Sequence, residues 1–316
     1  MVRAAEWQGD YLRAQARLIT MTNLFPPAPA ASDQYRLFTL RNACDMTVTI
    51  SERGAALRSW RAPDRYGRMA DVVRAGADGA SLDAAPEVWQ GRHTPGGVAL
   101  RLMEPGGGAE LRASYRLDDD GCLTVKHDVL ARLPTMVRLR SHPGFNLNGG
   151  IADVGDHMLQ IDADYYVEVD AGGAPIGVAA VGGTPFDFRE PAPIGPRLRW
   201  PDSQISQAGG FNHCFYVGSH FAGGQGELRE VARVFDPGSG RRLQMYTTEA
   251  ALQFCAGGGQ TRPANKAPGG RHGDRDGFCL EAEARPALVS VAWPHLLLHP
   301  GQSYRQTSAY RLSLLG

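Results

Sequence analysis

The chain has 316 residues, 43% of them hydrophobic, enough to bury a sizeable core, which excludes disorder as the main state. Lys and Arg total 33 and Asp and Glu total 33, so the formal net charge is zero and no basic excess exists for gripping a nucleic acid. The 39 glycines and 21 prolines exceed average usage of about 7% and about 5%, too many turn-formers for a helical protein.

Residues 1–33 differ in character from the rest of the chain. Trp7, Tyr11, Ala14 and Leu18 recur at helical spacing, which predicts a short amphipathic helix over Glu6–Ile19, followed by a Pro/Ala stretch from Phe25. This segment reads as an N-terminal extension. The remaining residues, 34–316, read as a single domain, since no linker interrupts them. The N-terminus lacks the order of a signal peptide and no apolar run reaches membrane-span length. A soluble, cytoplasmic protein is therefore expected, with no membrane partner.

From Gln34 onward the hydrophobic period is two. Ala109–Leu117 alternates strictly, with Ala109, Leu111, Ala113, Tyr115 and Leu117 on one face and Glu110, Arg112, Ser114 and Arg116 on the other. Asp118 to Gly121 supplies a turn, and Leu123–Val129 alternates again, which predicts an antiparallel hairpin. Turn signals recur at Asn42–Asp45, Pro63–Gly67, Gly172–Gly173, Asp236–Gly240 and His299–Gly301. Many short strands without a convincing interior helix imply an all-β sandwich or barrel.

The five cysteines, Cys44, Cys122, Cys214, Cys255 and Cys279, are spread along the chain without a C-x-x-C pair, so the spacing suggests neither a disulfide framework nor a zinc site. No metal and no cofactor is expected. His127 shares its face with Leu123, Val125 and Val129, the pattern of a core or edge histidine. His142 ends a strand on the polar face of Arg138 and Arg140, ahead of Pro143–Gly144, a position from which an imidazole can reach a cleft and titrate near neutrality, as a general acid must. Glu281 and Glu283 share a strand face with Cys279, either as a general base with a neighbour or as a solvated stripe. Walker, H-E-x-x-H, G-x-S-x-G and Rossmann fingerprints are absent, which lowers the case for nucleotide, zinc-protease and serine-hydrolase chemistry.

Six ordered blocks then point one way: Asn42–Ala43 with Ile50–Ala56 and Ala62–Val73; His142–Leu147; Asp156–Asp164; Gly183–Pro191; Tyr246–Phe254; and Cys279–Glu281. From about Tyr35 to Leu315 the chain resembles the aldose 1-epimerase (galactose mutarotase) family. The resemblance implies a large antiparallel β-sandwich, the galactose mutarotase-like supersandwich, with a sugar as the small-molecule partner. It implies interconversion of the α and β anomers of a free aldose, with His142 as the acid and Glu281 as the base. It also implies substrate contacts from Asn212, Gln253, Phe254 and Glu283.

The chain departs from the family pattern in places. Only Arg74 to Glu87 separates Asp71-Val-Val73 from Val88-Trp89, where the family carries a longer stretch with an arginine and a histidine that contact substrate. Arg92 and His93, just beyond, are the nearest replacements; their alternative is an exposed hairpin ahead of Pro95-Gly-Gly97. Asn212 stands for an aspartate, Ser141 for an asparagine, Gly144 for an aromatic residue and Glu283 for a glutamine. A sugar-binding module, or an epimerase-fold enzyme acting on a larger ligand in a widened cleft, are the alternatives to mutarotation.

Overall fold

Alternating side chains and frequent turns produce strands that pair with their sequence neighbours. The computed structural model describes residues 18–20, 35–74, 87–104, 106–138, 143–217, 226–257, 277–284 and 297–315. Four sheets hold all the named strands of these residues. One has seven strands, in the order Pro175–Ala180, Tyr165–Val169, Phe211–Tyr216, Ala251–Ala256, Phe278–Glu283, Gly144–Phe145 and Val73–Arg74. A nine-stranded sheet runs Ala192–Pro193, Met158–Ile161, Arg229–Phe235, Arg241–Thr247, Ser303–Leu314, Cys122–Ala131, Ala109–Leu117, Gly97–Met103 and Gln90–Thr94. A smaller sheet joins Leu37–Arg41, Thr47–Ser51, Leu57–Pro63 and Met69–Asp71.

The expected hairpin forms: Ala109–Leu117 pairs antiparallel with Cys122–Ala131, Leu117 opposite Leu123 and Tyr115 opposite Val125. Its turn is built by Asp118, whose Oδ1 accepts the N–H groups of Asp120 and Cys122 at 3.1 and 2.8 Å, and by Gly121 at φ 73°. The other five turn signals each join consecutive strands. One position breaks the expected alternation. Glu110, on the polar face by period, is buried beneath Arg101 and Arg112 at 2.8 Å each and Arg132 at 3.3 Å. The hydrogen bonds from Arg101 and Arg112 hold its carboxyl at about 2, so the strand covers a charge with charges instead of exposing it.

The two large sheets pack face to face. Phe211, Phe215, Leu252, Phe254, Phe278 and Leu280 line the inner face of the seven-stranded sheet, all buried. Tyr115, Leu123, Val125, Tyr310 and Leu312 meet them from the nine-stranded sheet. The short ladder to Gly144–Phe145 pairs only Phe278 and Cys279. Beyond it the opposing sheet reaches across: Tyr310 donates its hydroxyl to the Leu280 carbonyl at 3.0 Å, and Gln306 Nε2 donates to that of Ala282 at 2.9 Å. His127 is the core histidine its period predicts. It lines a cavity of about 10 Å³ with Gln306, Ser308 and Tyr310, room for about one water, and burial depresses its pKa to about 4.

One expectation is corrected at its end. Leu18 and Ile19, the last residues of the predicted helix, lie instead in a strand, Leu18–Thr20, parallel to Thr135–Arg138. Pairing along that strand satisfies their backbone groups, and tertiary pairing overrides helical spacing. The rest of the predicted helix lies outside the described residues. Among the described residues two short helices occur, Ile194–Leu198 and Ser203–Ala208. Among the described residues no helix is long and apolar enough to cross a membrane.

Candidate active site

Three central strands of the seven-stranded sheet set the site, and strand alternation decides which residues can join it. Directly opposed residues in an antiparallel ladder share a face. Asn212, Cys255 and Cys279 therefore form one row across the outer face; Cys214, Gln253 and Glu281 form the next; Tyr216, Ala251 and Glu283 form the third. The first row continues through Gly144 to Arg74. Glycine at 144 leaves that place in the row without a side chain, between the arginine and the cysteine.

Polar contacts knit the face. Gln253 Nε2 donates to Asn212 Oδ1 at 2.8 Å, and Cys255 Sγ donates to the same oxygen at 3.5 Å. Glu281 and Glu283 are buried, while Asn212 and Gln253 are half-buried. One ligand atom from each of Cys255, Cys279 and Glu281 lies within 4.8 Å of the others, a group able to hold a metal ion. At the end of the sheet Glu249 is fully buried. Burial pushes its pKa up to about 7 against a hydrogen bond from Tyr304, and the nearby charge of Glu283 adds to the rise.

The expected site residues divide sharply. Glu281, Glu283, Gln253 and Asn212 come together on one face. Phe254 does not: it stands opposite His213 and Leu280 on the inner face and packs on Phe211 at 5.1 Å and Phe188 at 5.8 Å. It is a core residue, because alternation turns it away from its neighbour Gln253. Arg92 and His93 also lie elsewhere. They belong to Gln90–Thr94, the edge strand of the nine-stranded sheet, hairpinned to Gly97–Met103. Both are exposed, with His93 edge-on to Phe38 at 5.2 Å, so the exposed-hairpin alternative describes them. His142 lies outside the described residues.

Two further histidines serve the structure. His213, next to Asn212, points into the core against Phe186 at 4.6 Å, accepts the Asn212 N–H at Nδ1, and is depressed to about 4 by burial. His157 accepts the Leu147 N–H at 3.0 Å through Nε2 and is likewise held at about 4, mainly by burial. Sequence reasoning misses Arg74. Its only signal is its place immediately after Val73, in a strand whose pairing with Gly144 is not visible along the chain.

A large antiparallel sandwich of this kind is the galactose mutarotase-like architecture. A family model described as Aldose 1-epimerase matches residues 83–311. The galactose mutarotase of Bos taurus is 34% identical over 236 residues, covering 72% of this chain and 66% of the bovine protein. The aldose 1-epimerase of Escherichia coli (strain K12) is 29% identical over 350 residues, covering 92% of this chain and 99% of its own. The solved galactose 1-epimerase of Lactobacillus acidophilus NCFM is alike in fold, with a TM-score of 0.70, 23% identity, and coverage of 93% of this chain and 99% of its own. The chain belongs to the aldose 1-epimerase family, and with it to the isomerase class of enzymes.

Proposed function

We propose that this protein interconverts the α and β anomers of a free aldose, with Glu281 as the base and His142 as the acid. The observation that carries the reading is the placement of Glu281 in register with Gln253, beside Asn212, on one face of the sheet. A carboxylate there removes the proton of the anomeric hydroxyl while the imidazolium gives a proton to the ring oxygen. The C1–O5 bond breaks, the aldehyde rotates about C1–C2, and closure on its other face returns both protons. Holding an acid and a base on opposite sides of one small hemiacetal matters because water at pH 7 offers neither species in useful concentration.

Covalent connectivity supports the acid. His142 stands two positions before Gly144 in the sequence, and Gly144 is paired with Cys279 of the Glu281 strand. Asn212 and Gln253 offer amide donors and acceptors for the sugar hydroxyls, with Glu283 a further acceptor. Arg74 shares the row of Asn212 and Cys279 through Gly144, with its guanidinium against Gly150. Neutral amides around the carboxylate suit an uncharged ligand, in keeping with the zero net charge of the chain.

Polarimetry on freshly dissolved α-glucose and α-galactose tests the reading, with His142→Asn and Glu281→Gln as controls. Accelerated mutarotation by the wild-type chain, lost in both variants, is the expected result. Wild-type rates equal to buffer overturn it, and a sugar-dependent rise in melting temperature in that case identifies a binding module instead.

A further inference from the structure

Cys255 and Cys279 are 24 positions apart in the chain and sit directly opposite each other in the ladder. Directly opposed residues hold their Cβ atoms about 4.5–5.5 Å apart, so two thiols are brought side by side with no pairing motif in the sequence. Glu281 lies two residues beyond Cys279 on the same face, and its longer side chain reaches back to them. All three residues are buried, at 6%, 0% and 2% exposure, and neither cysteine is in a disulfide. One ligand atom from each lies within 4.8 Å of the other two.

We propose that Cys255, Cys279 and Glu281 bind a thiophilic d¹⁰ divalent cation, Zn²⁺, and that its binding inhibits the enzyme by occupying the base. Zinc takes thiolate sulfur at about 2.3 Å and carboxylate oxygen at about 2.0–2.2 Å in a tetrahedron. Ligand atoms then stand roughly 3.5–3.8 Å apart, so a group spread over at most 4.8 Å closes on the ion by about 1 Å, a side-chain adjustment. The fourth position falls to water or to Asn212, whose Oδ1 is 3.5 Å from Cys255 Sγ. Two thiols and one carboxylate suit a soft ion and not magnesium or calcium, which require oxygen donors. Binding converts both thiols to thiolates and releases two protons. The bound carboxylate lone pair is then unavailable to the anomeric hydroxyl, so sugar turnover and metal exclude one another.

The inhibitory half rests on Glu281 acting as the base in the proposed epimerase reaction; the metal site does not. The full-length chain, reduced with a phosphine, is titrated with Zn²⁺ against a chromophoric chelator, and proton release is followed in weak buffer. One tight equivalent is expected, with about two protons released near neutrality. Cys255→Ser and Cys279→Ser should each weaken it at least tenfold, and Cys44→Ser, at an exposed thiol, should leave it unchanged. Cys255→Ala and Cys279→Ala, with melting curves, separate lost ligation from lost folding. Tight binding that survives both alterations in folded protein, or that disappears with Cys44, overturns the site. Zinc-loaded wild type that still accelerates mutarotation overturns the inhibition. A metal-free chain that binds zinc as described but never accelerates mutarotation counts against the epimerase reading and leaves the metal site standing.

Discussion

The two faces of the seven-stranded sheet are made from the same three strands, yet they share almost no chemistry. Outward stand Asn212, Gln253, Cys255, Cys279, Glu281 and Glu283; inward stand Phe211, His213, Phe215, Phe254, Phe278 and Leu280. Consecutive residues differ in kind because a strand turns each side chain away from the last. An inward position is selected for volume and apolarity and an outward one for hydrogen bonding, so neighbouring substitutions should produce unrelated defects. A residue's place in a matched motif is therefore a poorer guide to its task than the parity of its number within the strand.

The largest expected effect breaks the outer face alone. Glu281→Gln keeps the volume and removes the proposed base, which should lower the rate of mutarotation by about 10²- to 10⁴-fold with little change in melting temperature. Polarimetry and a thermal melt on the same preparation check both halves. A large loss of stability with an unchanged rate would place Glu281 among the structural residues. The inner face has its counterpart in Phe254→Ala. Removal of a fully buried ring should cost about 3–5 kcal/mol of stability, read by urea unfolding, while Gln253→Ala, one residue away, should move stability by under about 1 kcal/mol and raise KM.

Acid should also separate the regions. His127, His157 and His213 are each depressed to about 4 from 6.5, chiefly by burial. Their neutral forms are favoured in the folded chain, so their contribution is fully present above pH 6.5 and is lost as pH falls toward 4, by up to about 3 kcal/mol per group. Glu249 works the other way: raised from 4.5 to about 7, it stabilises fully below 4.5, and that contribution is lost as pH rises through 7. Three groups against one make the histidines prevail between about 6.5 and 4.5. Melting temperature should fall on acidification across that window, and Glu249→Gln should raise it above pH 7 while leaving the acid limb in place. A melting temperature independent of pH from 7 to 5 would contradict this assignment.

Much of the architecture was legible because period-two alternation is local. The hairpin Ala109–Leu117 with Cys122–Ala131 and the five other turns needed no information from distant residues. The outer stripe of Glu281 and Glu283 was equally visible, although alternation alone left it open between a site and a solvated surface. Phe254 was within reach of the same argument, since its parity opposes that of Gln253, but the family motif groups it with its neighbour. What stayed hidden was register between distant strands. Nothing in the spacing joins Cys255 to Cys279, or Arg74 through Gly144 to that same row. Nearness along the chain to the shortened stretch also points wrongly to Arg92 and His93, which pairing with Gly97–Met103 commits to the other sheet. Glu110 is hidden for another reason, since its burial depends on three arginines from three segments.

The smallest expected effect sharpens the outer face. Asn212 occupies a place where the family resemblance implies an aspartate, and its Oδ1 accepts from Gln253 at 2.8 Å. Asn212→Asp preserves the shape and the acceptor while adding a charge, and a charged acceptor to a sugar hydroxyl is stronger than a neutral one by on the order of 1 kcal/mol. Against this stands the proximity of Glu281 and Glu283 on the next two rows, whose like charges oppose a third carboxylate. If the hydroxyl contact prevails, KM for galactose or glucose should fall by about fivefold at pH 7 with kcat little changed, because the contact is made in the ground state and the transition state alike. If repulsion prevails, KM should instead rise and recover toward the wild-type value as pH is lowered to 5. Unchanged KM at both values would mean that position 212 touches no sugar and that its role ends at the hydrogen bond to Gln253.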